Sequence, residues 1–176
     1  MTTHAAILGC AGQALTAEER AFYRDVQPWG FILFKRNVDA PDQVRRLTDD
    51  LRACVDRADA PVLVDQEGGR VQRLGPPHWR RYPPGRAYGL LPQEEGADMA
   101  RLGARLLAHD LAAVGITVDC LPVLDVPQAG AHDVIGDRAY AADPVRVAEL
   151  GRAACEGLIE GGVLPVIKHL PGHGRA

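Results

Sequence analysis

Two kinds of segment alternate along the chain. Compact apolar runs of strand length are followed by longer stretches in which apolar residues recur every three or four positions. Residues 5–9 form the first compact run. Thr16-Ala17-Glu18-Glu19 then reads as a capping box, which opens a helix reaching about Val26. Residues 30–34 (Gly-Phe-Ile-Leu-Phe) are a second strand, placed after the helix-breaking Pro28. Pro41 opens a second helix, with Val44, Leu47, Leu51, Cys54 and Val55 at helical spacing. Residues 61–64 make a third strand, and a Pro/Gly-rich loop spans 75–92. A helix follows from about Glu94 to Val114, with Met99, Leu102, Leu106 and Leu107 as its apolar face. Residues 116–124 are strand-like and end at Asp125. Asp143-Pro144 starts the last helix, with Asp as N-cap and Pro in the first turn. Val147, Leu150, Ala154 and Leu158 give its buried face, Gly161-Gly162 end it, and residues 163–167 form a fifth strand.

The order is (βα)₄β. Strands that are apolar throughout are covered on both faces, so the expected class is α/β, with parallel strands and helices on the outside. The length then limits the architecture. The 176 residues suit one domain with a sizeable core. A closed (β/α)₈ barrel takes about 250 residues, so the chain holds at most an incomplete one. The composition is 47% hydrophobic and 24% charged, which argues against disorder. A net charge of −3 leaves no basic footprint for nucleic acid. No run approaches the roughly 18 apolar residues of a membrane span. Ile7-Leu8-Gly9-Cys10 has the outline of a lipoprotein box, but no Lys or Arg precedes it and the apolar stretch is short, so a cytoplasmic chain is expected. The four cysteines lie far apart with no C-x-x-C pair, so free buried thiols are expected and a zinc site is not.

In parallel α/β folds, ligands bind at the carboxyl ends of the strands. Polar residues collect there. Lys35-Arg36-Asn37 follows the second strand, and Asp65-Gln66-Glu67-Gly68-Gly69-Arg70-Val71-Gln72-Arg73 follows the third. Asp125 ends the fourth, with Asp133, Asp137 and Arg138 in the loop beyond, and Lys168-His169-Leu170-Pro171-Gly172-His173-Gly174 follows the fifth. Asp65 either accepts hydrogen bonds from vicinal sugar hydroxyls or pairs with Arg70 or Arg73 to hold its loop. Gly68-Gly69 permits a sharp turn or a close ligand approach. Lys168 is either paired or functional. Arg138 has a plain structural role open to it, as partner of Asp137 or Asp143. Trp79, Tyr82 and Tyr88 either wall a sugar site or pack their loop onto the body. His169 and His173 are four apart, but Pro171 and Gly172 forbid the helix that would let them chelate a metal. There is no dinucleotide fingerprint, no nucleophile elbow and no P-loop.

Four of these segments, in order, resemble the bacterial β-N-acetylglucosaminidases of glycoside hydrolase family 3. The stretch from Val64 to Arg73 resembles that family's hallmark segment, and Gly30 to Asn37 its second strand. Pro122-Val123-Leu124-Asp125-Val126 with Ile135-Gly136-Asp137-Arg138-Ala139-Tyr140 is similar to its fourth strand and loop, and Lys168 to Gly174 to its K-H-F/L-P-G-H-G segment. The resemblance covers nearly the whole chain, residues 1–176, as the N-terminal part of a (β/α)₈ TIM-barrel domain. It implies removal of terminal non-reducing N-acetylglucosamine with retention, in peptidoglycan recycling. It also implies sugar contacts from Asp65, Arg73, Arg138, Lys168 and His169, a muropeptide or disaccharide substrate (GlcNAc linked to anhydro-MurNAc), and no cofactor or metal. The family's Asp-x-His acid/base and its Asp nucleophile would lie beyond residue 176. No catalytic residue is therefore assigned, and an inactive chain is expected. The alternatives are a non-catalytic sugar-binding fragment or a half-barrel that self-associates through exposed barrel edges.

Overall fold

A computed structural model of the chain describes residues 2–128, 130 and 133–173. Five parallel strands form its sheet: β1 (His4–Leu8), β2 (Pro28–Leu33), β3 (Val62–Val64), β6 (Val118–Asp119) and β7 (Leu164–Pro165), side by side in that order. The helices between them are α1 (Ala17–Val26), α2 (Pro41–Val55), α4 (Gln93–Ala112) and α5 (Pro144–Glu160). After β3 the chain adds an antiparallel hairpin, β4 (Gln66–Gly68) with β5 (Val71–Gln72), and a short helix α3 (Gly85–Gly89). The expected (βα)₄β order is therefore present, with this excursion inserted where the Pro/Gly-rich loop begins.

The local signals act as the sequence suggests. Thr16 and Glu19 form the reciprocal capping box of α1. Asp143 caps α5 by accepting from the amides of Val145 and Arg146. Along α2, Val44, Leu47, Leu51, Cys54 and Val55 are all buried, each large aliphatic side chain contributing about 1.5–3 kcal/mol by its removal from water. Val147, Leu150, Ala154 and Leu158 are likewise buried on α5.

Several boundaries shift. β1 runs His4–Leu8 rather than 5–9. β2 begins at Pro28 itself, which is tolerated as the first residue of a strand. The fourth and fifth strands are cut to two residues each, β6 and β7, because Pro165 and Pro122 have no amide proton to donate to a ladder. The pairing nonetheless continues past β6. Cys120 N–H donates to the Val64 carbonyl at 2.8 Å, and Val123 bridges Lys168 in parallel. That bridge seats Lys168 at the strand ends.

The apolar face expected on α4 is a correction. Met99 and Leu102 are exposed, at 39% and 47%. Leu107 is buried as expected and Leu106 packs partly buried against the core, but the rest of the buried face is Gly96, Ala100, Gly103, Ala104, Ala108 and Leu111. Small residues are there because α5 lies close against α4: a side chain at Gly157 of α5 would run into the backbone carbonyl of Arg101 and the Ala104 methyl group. The aromatic residues of the loop pack it onto the body. Trp79 and Tyr82 are buried, the Tyr82 hydroxyl donates to Asp110 at 2.6 Å, and Tyr88 leans on Tyr140 with ring centroids 6.5 Å apart. Gly68 and Gly69 make the hairpin turn at φ of 89° and 57°, a conformation that favours glycine. They sit against Pro83 and Pro84, so the pair serves the turn. The four cysteines are free, with Cys10 and Cys54 buried and Cys120 and Cys155 only partly so. Among the described residues no helix is long and apolar enough to cross a membrane.

Candidate active site

Extended backbone sends alternate side chains to opposite sides, and this sorts the segment after β3. Gln66 turns inward and is fully buried. Its Oε1 accepts from the amides of Arg73 and Leu74 at 2.8 and 3.0 Å, and its Nε2 donates to the Leu74 carbonyl at 2.8 Å. Gln66 thereby folds the hairpin back and brings Arg73 over the strand ends. Asp65 and Glu67 take the other side. A chain of alternating charges follows: Arg73 to Asp65 at 3.3 Å, Asp65 to Lys168 at 2.9 Å, Lys168 to Glu67 at 2.6 Å, and Glu67 to Arg138 at 2.8 Å. The last pair is bidentate, with both guanidinium bonds at 2.8 Å.

This chain has an inner and an outer end. The side chains of Glu67, Lys168 and Arg138 are 4%, 12% and 13% exposed, while those of Asp65 and Arg73 reach 21% and 26%. Asp65 and Arg73 therefore lie at the solvent side of the cluster, and Glu67 anchors it from below. Burial alone would raise the Asp65 pKa, but the hydrogen bond and charge of Lys168, with the charge of Arg73, hold it below the ordinary value. Burial likewise disfavours charged Lys168, and its bonds to Asp65 and Glu67 more than reverse this. Arg138 is held further on its charged side by Glu67.

His169 is held by a separate carboxylate. Its Nδ1 lies 2.6 Å from Asp125, whose other oxygen accepts from the His173 amide at 2.6 Å. Burial raises the Asp125 pKa, but these bonds bring it below the ordinary carboxylate value. With Nδ1 turned to Asp125, the Nε2 edge of His169 is the one left for another partner. The Lys168–His169 peptide is cis.

The five site residues expected from the sequence thus lie at one end of the sheet. Four of them form one connected ion-pair cluster with Glu67. Both structural alternatives for Arg138 are corrected. Asp137 pairs with Arg70 at 3.3 Å and Asp143 caps α5, because the buried Glu67 carboxylate claims the Arg138 guanidinium. Asp65 pairs with Arg73 and not Arg70, which is drawn to Asp133 and Asp137. Sequence reasoning missed Glu67 and the holding role of Asp125. Alternation from Asp65 places Glu67 on the same side, and that signal was available. No group of three metal-ligating side chains occurs among the described residues. Gly174, the last residue of the Lys168 segment, lies outside them.

The chain matches the model of the glycosyl hydrolase family 3 N-terminal domain over residues 6–176. It belongs to glycoside hydrolase family 3. It is 42% identical over 163 residues to a β-hexosaminidase of Methylococcus capsulatus, covering 93% of this chain and 48% of that protein. A Pseudomonas aeruginosa β-hexosaminidase is 40% identical over 170 residues, covering 97% of this chain and 49% of that protein. Among solved structures, NagZ from Neisseria gonorrhoeae in complex with N-trifluoroacetyl-D-glucosamine superposes with a TM-score of 0.89 at 35% identity, covering 97% of this chain and 50% of that one. The chain thus spans about half the length of these family members, and its parallel sheet corresponds to part of their domain.

Proposed function

We propose that this chain supplies the sugar-holding portion of a β-N-acetylhexosaminidase that acts on terminal non-reducing N-acetylglucosamine. The observation that carries the reading is Asp65, partly exposed at the strand ends and held ionised between Lys168 and Arg73. Such a carboxylate accepts two vicinal sugar hydroxyls, while Lys168, Arg73, Arg138 and His169 offer polar contacts beside it. The β-hexosaminidase relatives and the N-acylated glucosamine held by the Neisseria protein favour an N-acetylated amino sugar. We place the substrate among peptidoglycan-derived disaccharides such as GlcNAc linked to anhydro-MurNAc, and the protein in the cytoplasm.

The 176-residue chain is proposed to bind and not to cleave. A retaining hydrolysis needs two groups flanking the glycosidic bond, a nucleophile and an acid/base. Here Asp65 is assigned to the sugar hydroxyls, Glu67 is buried against Lys168 and Arg138, and Asp125 is bound to His169, so none of the three is left for either role. Calorimetry with N-acetylglucosamine tests the site: sub-millimolar binding that Asp65→Asn abolishes is expected, and no heat with the parent chain sinks the reading. Release of 4-nitrophenol from its β-N-acetylglucosaminide by this chain would overturn the non-cleaving part.

A specific observation favours self-association as well. Ile7, Leu164, Val166 and Ile167, on or beside the two outermost strands, are 43%, 62%, 39% and 47% exposed. Apolar groups at open sheet edges seek a partner. Light scattering is expected to show a dimer or larger species; a clean monomer would count against it.

A further inference from the structure

Helix α4 packs its small residues inward and turns the opposite face to solvent. Glu95, Asp98, Met99, Leu102, Arg105 and His109 are exposed there, with Leu106 half-buried among them. They recur at three- and four-residue steps and so form one stripe. Its charges are sorted by sign. Glu94, Glu95 and Asp98 lie in the N-terminal half of the helix, and Arg101, Arg105 and His109 in the C-terminal half. Asp110, also in the second half, is taken by the Tyr82 hydroxyl. Arg101 pairs with Glu160 of α5; among the described residues, none of the other five forms an ion pair. The helix dipole favours this order of signs only in the first and last turns, whereas Asp98 and Arg105 lie further in. It gives no reason for Met99 and Leu102 to stand bare between them. A concavity of about 590 Å³ opens beside Leu102 and Leu106, walled by Arg80, Arg105, His109 and Glu160.

We propose that this stripe is a docking surface for a second copy of the chain, α4 against α4, antiparallel about a two-fold axis at Leu102. A stripe whose charge reverses about an apolar centre is complementary to itself in that orientation, while a parallel copy would set like charge on like. Glu95 and His109 lie seven positions either side of Leu102 and so face each other. Asp98, four positions before Leu102, faces Arg105 and Leu106, three and four positions after it. The two Leu102 side chains meet at the axis. Each Met99 reaches the concavity beside Leu106 of the other copy, where an unbranched thioether fills irregular space. The contact is one helix wide, less than the roughly 1,200–2,000 Å² of a tight interface, so the dimer is a concentration-dependent one. This surface is separate from the sheet edges, and it does not depend on the reading of the Asp65 site.

Sedimentation velocity of the 176-residue chain over about a hundredfold range of concentration tests the pairing. Asp98→Arg and Arg105→Asp each set like charges together at two symmetric places, and each alone should weaken dimerisation at least about tenfold. An equimolar mixture of the two variants should recover it, because one chain then presents cations at both positions and the other anions. Leu102→Glu should dissociate the dimer with no such recovery, and added salt should weaken the parent dimer. Urea midpoints close to the parent's show that each variant is folded. Loss in both charge variants without recovery in their mixture overturns the antiparallel pairing. A dimer that all three variants leave intact also overturns it and places the association at the sheet edges. A parent that stays monomeric throughout overturns this pairing and the edge association together.

Discussion

The α4–α5 contact and the strand-end ion-pair chain are both interior regions, and they tolerate change very differently. The helix pair is held by what is missing. Ala104 and Ala108 on one side and Gly157 and Gly161 on the other let two backbones approach closely. The strand-end cluster is held by what is present: three cations and two carboxylates, each needing its neighbour. A buried pair of this kind returns little net stability, because desolvation offsets the attraction. Its arrangement makes sense as positioning, with Glu67 fixing Lys168 and Arg138 so that Asp65 and Arg73 present a defined polar surface. One region is optimised for packing and the other gives up stability for a site.

The sharpest way to break this contrast is to remove one charge from the cluster. Glu67→Ala leaves Lys168 and Arg138 short of a buried partner and should lower stability by about 3–5 kcal/mol, read from urea denaturation midpoints. Adding Lys168→Met should recover part of that loss; if the double variant is instead as unstable as the two single losses summed, the cluster is not electrostatically coupled. Next in size is Gly157→Ala on α5. Its methyl group meets the Arg101 carbonyl and must push the helices apart, a loss of about 1–3 kcal/mol that no charge change rescues. Asp65→Asn sharpens the comparison from the functional side. At the more exposed end of the chain it should lower stability less than Glu67→Ala, yet weaken N-acetylglucosamine binding at least about tenfold in calorimetry. A variant that loses more stability than affinity would make Asp65 a structural acid.

The two regions also differ in how far the sequence disclosed them. Strand order, caps and the buried stripe of α2 are local properties, and Thr16, Pro41 and Asp143 announce them directly. The strand-end rule then gathered the polar segments, and the resemblance to glycoside hydrolase family 3 picked Asp65, Arg73, Arg138, Lys168 and His169 out of them, without any tertiary information. The pairings inside that set were not legible. Lys168 meets Asp65 across 103 positions and Arg138 meets Glu67 across 71, distances over which sequence spacing carries no signal. The α4 face was misread for a related reason. Helical periodicity picks out large apolar residues, but a helix pressed against another needs small ones, and that need is set by α5. Met99 and Leu102 consequently stand outside while Ala104 and Ala108 are buried.

The smallest predicted effect concerns Asp119, which lies beneath the cluster at the end of β6. Its Oδ1 accepts from the Gln66 amide at 3.0 Å, and its Oδ2 is buried without a partner. Burial holds this carboxyl well above its ordinary value of 3.8, against the pull of the Gln66 amide and of Lys168. A raised folded-state pKa means that the folded chain keeps a proton the unfolded chain has released. The stability it contributes is full below 3.8 and is lost as pH rises through the folded value. Asp65 and Asp125 run the other way: their depressed values contribute stability above the ordinary carboxylate range that is lost on acidification through the lower folded values. The wild-type profile mixes these opposing trends, so only a difference isolates Asp119. Asp119→Asn retains the acceptor for Gln66, and the group it places at Oδ2 is no better partnered than the acid. The variant should therefore melt close to the parent near pH 4 and increasingly above it towards pH 8. A melting difference that stays flat across that interval would mean that Asp119 is not held protonated, and that the cluster tolerates a further buried negative charge.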